Sequence, residues 1–226
     1  MTRDEVAAVL AETEAALRDQ DSVDLRAAGF WRAVGAVKRQ PALVDPFADR
    51  IGAIDRTAFE RWALFTIPAG VGTPLAVIGV FIALGIVAAG YYVDAPWNGL
   101  LLLIGTGVLL VPTHGLGHLV VAARGGMRIT HWFVGSIRRP QPGVKLDYAT
   151  YLRAPARSRA WMHASGALVT KAIPFLMLGA AWGMDAPGWT WAALLLIGLG
   201  QILTDVLWST KSSDWMKFRR ELRFAA

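Results

Sequence analysis

Apolar and polar positions follow three patterns along this chain. Through residues 1–61 the pattern is amphipathic at helical spacing: Val6, Val9, Leu10, Thr13 and Leu17 share one face, with Asp, Glu and Arg on the other. Asp45-Pro46 reads as an N-cap followed by a proline in the first turn. The helix it starts carries Phe47, Ile51, Ile54 and Phe59 on one side. This region is expected to be helical, either packing on itself as a small cytosolic appendage or lying along a membrane surface. From Trp62 the polar residues almost vanish. Four apolar runs, at about 62–93, 99–123, 160–182 and 189–208, are each long enough to cross a bilayer. The first is entered after the Pro68-Ala69-Gly70 break.

The third pattern lies between the second and third runs. Residues 128–137 and 144–152 are β-rich and partly alternating, and Arg138-Arg139-Pro140-Gln141-Pro142-Gly143 between them is a turn-forming cluster. A β-hairpin over about 128–152 is the expectation. Its exposed edge would either pack on the helices or hold an extended peptide by strand addition.

Composition agrees with a membrane protein: 54% of residues are hydrophobic and only 18% are charged. The chain therefore reads as an all-α polytopic membrane protein of about four transmembrane helices. It has an N-terminal helical region (1–61), a membrane domain (62–210) with the hairpin, and a basic tail (211–226). The net charge of +6 belongs to particular loops, which points to membrane orientation and away from nucleic acid. Arg124, Arg128, Arg138, Arg139, Lys145, Arg153, Arg157 and Arg159 follow the second run, and the tail is basic again. The loops at 94–98 and 183–188 carry no Lys or Arg. By the positive-inside rule both termini and the 124–159 segment are cytoplasmic. No cleavable signal peptide is expected, since Thr2 to Gln20 lacks an apolar core.

The candidate chemistry sits in Val111-Pro112-Thr113-His114-Gly115-Leu116-Gly117-His118. His114 and His118 are four apart, so on a helix they share one face, close enough to hold one metal ion. Ionisable groups inside a membrane helix are functional candidates by default. Counted from Arg124, His114 lies roughly 15 Å and His118 roughly 9 Å inside the cytoplasmic end. With no cysteine in the chain, a bound zinc must use His and carboxylate ligands. The zinc-protease motif His-Glu-x-x-His has this spacing, but Gly115 stands where the glutamate general base belongs. His131, in the hairpin, and His163, at the start of the third run, are the remaining histidines.

With His114-Gly115-Leu116-Gly117-His118 on an early core span, the chain resembles the site-2 protease family of intramembrane zinc metalloproteases. The β-rich segment that follows adds to the likeness. So does His163-Ala164-Ser165-Gly166-Ala167-Leu168-Val169-Thr170-Lys171, a loose version of the family's Gly-Pro-x-x-Asn element without its Pro and Asn. The resemblance covers roughly residues 97–215. It implies zinc as cofactor, a third ligand from an aspartate at the last core span, and membrane-embedded or membrane-associated peptide segments as substrates. Two aspartates compete for the third ligand. Asp205 lies roughly 9 Å deep, matching His118, and is favoured on depth. Asp214 lies beyond Lys211, where Ser213 or Asp214 would ordinarily cap a C-terminal helix.

General acid–base help is worth about 10²–10⁴-fold, so without the glutamate efficient peptide hydrolysis is not expected. The functional expectation is a site-2 protease-like metallopeptidase, impaired at Gly115. Its alternatives are a zinc-binding pseudoprotease and a metal-free membrane scaffold that binds partner helices. For the scaffold, Gly79, Ala83, Gly85 and Ala89 would allow the close helix packing of a homo-oligomer.

Overall fold

The computed structural model describes residues 1–20, 23–137, 140–209 and 213–225. Arg138 and Arg139 of the expected turn, and Lys211 of the basic tail, lie outside the described residues. Four helices are long and apolar enough to cross a membrane: α4 (Ala69–Ala89, continued by a 3-10 turn to Tyr92), α5 (Trp97–Arg124), α7 (Ala156–Gly183) and α8 (Gly188–Leu207). They match the four apolar runs of the sequence. The centre of the bundle is α5, packed between α4 and α7. Ala83 of α4, Leu109 of α5 and Ile173 of α7 form one buried cluster. Nearer the other end, Val87, Leu102, Ala181 and Leu194 form another. Outward-facing Leu75, Ile78, Phe81, Leu196, Leu203 and Val206 stay exposed, which suits a hydrocarbon surround and would be costly in water.

The small residues of α4 divide their labour. Ala83 is buried, and a Cβ at Gly79 would meet the Pro112 ring at 3.7 Å, so this pair serves the chain's own α4–α5 contact. Gly85 and Ala89 face outward.

Two local expectations are corrected. The expected hairpin is part of a three-stranded antiparallel sheet, ordered β1 (Phe65–Pro68), β2 (Ile129–Val134) and β3 (Pro142–Leu146). Phe65 pairs with Val134 and Trp132 with Val144. The sequence reading entered the first span at the Pro68-Ala69-Gly70 break, where α4 begins, but saw no strand before it, because a short apolar run has no period that separates strand from helix. Proline at position 68 then starts α4 without needing a backbone donor. The second correction is at Tyr148–Arg153, expected as strand and observed as a helical turn, α6. Asp147 causes it by capping: its carboxylate accepts from the Ala149 amide at 3.1 Å.

The N-terminal region forms α1 (Arg3–Asp19), α2 (Phe30–Arg39) and α3 (Val44–Trp62). Val6, Leu10, Phe30, Val37, Ile51 and Ile54 pack into one core, completed by Ala149 and Leu152 of α6. The three helices pack on one another and on α6. This unit is pinned to the sheet and α6 by ion pairs, Asp55 with Lys145 and Asp49 with Arg153. The last helix, α9 (Asp214–Leu222), turns back along α7, with the Phe218 and Trp161 rings 5.5 Å apart.

Candidate metal centre

His114 and His118 lie one turn apart on α5, as their spacing requires, with ring centroids 4.6 Å apart. Their Nε2 atoms are 3.1 Å apart. The His118 Nδ1–H donates to the Met162 carbonyl of α7 at 2.6 Å. A carbonyl only accepts, so this bond puts the proton on Nδ1 and leaves the Nε2 lone pair facing inward. That orientation needs a glycine at 166: a Cβ there would lie 2.5 Å from His118 Nε2 and 2.9 Å from the His114 carbonyl oxygen.

The third side chain of the group is the carboxylate of Asp214. Ser213 caps α9, its Oγ accepting from the Met216 amide at 3.3 Å. Asp214 opens the helix and sends Oδ2 to His114 Nε2 at 3.2 Å and to His118 Nε2 at 3.3 Å. Its Oδ1 accepts from Lys217 Nζ at 3.1 Å. Burial pushes this carboxyl up, but the two imidazoles facing it and the Lys217 charge outweigh it and hold the group well below the usual carboxylate range. Asp205, favoured on depth, is not in this group. It pairs with Lys171 of α7 across a neighbouring cavity. Counting residues along α8 placed Asp205 at the right depth, but only the fold-back of α9 decides which carboxylate reaches the rings.

The three donor atoms could hold one metal ion, at separations at or just under those of a tetrahedral zinc site. Around zinc with ligands at 2.0–2.2 Å, neighbouring donors lie about 3.3–3.6 Å apart; the three separations here are 3.1, 3.2 and 3.3 Å. His, His and Asp form a donor set that zinc accepts, and three protein ligands leave a fourth position. Three cavities meet at His114. The largest, about 480 Å³, runs from both histidines and Asp214 past His163 and Lys217 to Val144 and Lys145 of edge strand β3. A second, about 300 Å³, is polar and holds Lys171, Gln201, Thr204 and Asp205. The third, about 230 Å³, is lined mainly by apolar Leu110, Val111, Trp132 and Pro142.

Gly115 is not merely a missing side chain. A Cβ there would collide with the six-membered ring of Trp132 on β2, and one at Gly72 would collide with the same indole. Trp132 sits between the two glycines and donates from Nε1 to Thr73 Oγ1 at 3.2 Å. An aromatic ring thus occupies the place where a side chain at 115 would begin. His131 lies opposite Pro68 in the sheet, away from the group. His163 lines the large cavity and shares a hydrogen bond with the Tyr151 hydroxyl, 2.9 Å.

Sequence reading gave no role at the site to Lys217, to Trp132, a candidate only for the inner aromatic belt, or to Gly166 as the seat of the His118 ring. Lys217, three residues after Asp214, carried a helical-pair signal; nothing in the sequence alone marked Trp132 as the neighbour of Gly115. No protein-family model, curated protein or solved structure matches this chain.

Proposed function

We propose that this chain is a membrane-embedded zinc protein of the site-2 protease type. It would bind membrane-embedded or membrane-associated peptide segments at His114, His118 and Asp214 without efficient hydrolysis. The observation that carries this reading is the triangle of donor atoms at tetrahedral-edge spacing, opening on a cavity walled by an edge strand. Zinc bound there supplies a Lewis acid that polarises a peptide carbonyl. The chain's own residues do the rest. Met162 and Gly166 hold the His118 ring. Lys217 steadies the far carboxylate oxygen of Asp214. Unpaired backbone groups on the outer side of β3 suit an extended segment, with Phe59 and Phe133 available to its apolar side chains. The charge pattern supports a centre toward the cytoplasm, with both termini on that side.

Proton transfer is what the chain does not provide at residue 115. The indole of Trp132 fills that space, so a non-cleaving, segment-binding role is favoured over a protease lacking one carboxylate. The test is zinc binding and cleavage of a membrane-inserted peptide by wild type, Gly115→Glu and Gly115→Glu/Trp132→Ala. Wild type should hold about one zinc per chain, bind the peptide and leave it intact. Gly115→Glu alone should remain inactive, and the double variant should gain zinc-dependent cleavage. Zinc-dependent cleavage by wild type would overturn the non-hydrolytic reading; absence of bound zinc would overturn the metal reading.

A further inference from the structure

Glu221 stands seven residues after Asp214 on α9. Seven residues make nearly two full turns, so both carboxylates lie on one face of the helix, about 10 Å apart along it. The Glu221 side chain is fully buried, with 0% exposure. Two cations from distant parts of the chain meet it there. Lys38 of α2 donates from Nζ to Oε1 at 2.6 Å. Arg159 of α7 donates from Nε to Oε2 at 2.8 Å. The arginine is itself fixed, giving Nη1 to the carbonyls of Leu152 (3.1 Å) and Ala154 (2.7 Å). Lys38 also lies over the Tyr151 ring, 4.7 Å from its centroid, and Tyr151 bonds to His163 beside the metal centre.

A buried ion pair adds little net stability but is exacting in position, because losing one partner strands a charge away from water. This cluster leaves α9 few placements relative to α7 and α2. Burial lowers the Lys38 ammonium to about 8, with Glu221 offsetting part of that and Arg159 and Arg220 adding to it. The aromatic contacts of α9, Trp215 with Phe218 and Phe218 with Trp161, tolerate sliding far better than two charged hydrogen bonds do.

We infer that Lys38 and Glu221 are positioning residues for the ligand Asp214, so that the N-terminal helical unit sets the affinity of the centre for zinc. This rests on the metal reading above. It makes the first 62 residues a working part of the site, because the cation that completes the cluster comes from α2 while the ligand comes from α9.

The experiment titrates zinc into detergent-purified full chain against a chromophoric chelator, for wild type, Lys38→Met, Lys38→Arg, Glu221→Gln and Asp214→Ala. Amide hydrogen exchange across 214–222 is followed in the same samples. Losing a supporting contact of a metal ligand typically weakens binding about 10–100-fold. Lys38→Met and Glu221→Gln should fall in that range while still saturating at one zinc, and Lys38→Arg should recover most of the affinity. Exchange across α9 should quicken in the two weak variants without zinc and slow again when zinc is added, as linkage requires. Glu221→Gln keeps the side chain's shape and carries the same test should Lys38→Met fail to fold. Wild-type affinity in Lys38→Met and Glu221→Gln, with Asp214→Ala unable to bind, would overturn this inference and leave the metal reading intact. No zinc on wild type would remove both.

Discussion

Gly166, with no side chain of its own, is what lets His118 face Asp214. Gly166→Ala should abolish tight zinc binding, since the added carbon would lie 2.5 Å from His118 Nε2, and should also loosen the packing of α7 on α5, since it would lie 2.9 Å from the His114 carbonyl oxygen. Circular dichroism beside a zinc titration checks this; normal affinity in the Gly166→Ala variant would mean that the ring has another seat. Glu221 gives a pH prediction. Burial pushes its carboxyl up, but Lys38 and Arg159 more than compensate and the folded value lies below the ordinary one. A depressed acid contributes stability above its unfolded value, near 4.5, and loses it as pH falls through the folded value. The melting temperature of wild type should therefore drop more steeply below about pH 5 than that of Glu221→Gln, and parallel curves would contradict the pairing. At this scale the histidine pair was legible because i and i+4 need nothing beyond one helix. The choice between Asp205 and Asp214 was not, because it depends on where a separate helix returns.

Among the elements, α9 and the sheet complete the site around the α5 histidines, and both were only half visible. The Ser213 cap was readable, and the structure has it; the packing of α9 against α7 rests on Trp161 and Arg159, more than fifty residues away. Removing the cap with Ser213→Ala should cost α9 about 0.5–2 kcal/mol, seen as faster amide exchange across 214–222 and weaker zinc binding. Unchanged exchange would mean that tertiary contacts alone hold the helix. In the sheet, β2 and β3 announced themselves by alternation and turn residues. Strand β1 hid inside an apolar run, and with it went the reason for Gly72 and Gly115, the two glycines against Trp132. Gly115→Glu forces a side chain into that indole, and overpacking of this kind costs about 1–3 kcal/mol. Thermal melting should show the loss in the single variant and a partial recovery when Trp132→Ala is added. A single variant as stable as wild type would mean that the indole swings aside freely.

On the scale of the whole molecule, the four spans and the helical N-terminal region were the most legible features, since long runs of lipid-compatible residues and amphipathic spacing need no tertiary information. The charge pattern predicts which face is cytoplasmic. Because the chain lacks cysteine, single cysteines at Asp94 and Asp185 should react with a membrane-impermeant maleimide from outside intact cells, while one at Arg157 should react only after lysis. The opposite pattern would invert the topology and move the metal centre toward the outer leaflet. The proposed site would be assembled from three places: two ligands on α5, one on α9, and a supporting cation from the N-terminal unit. The most direct test is the metal content of the detergent-purified chain, measured with Asp214→Ala and Asp205→Asn beside wild type. The account predicts about one zinc per chain in wild type and in Asp205→Asn, and next to none in Asp214→Ala. Zinc retained by Asp214→Ala but lost from Asp205→Asn, or absent from wild type, would contradict it.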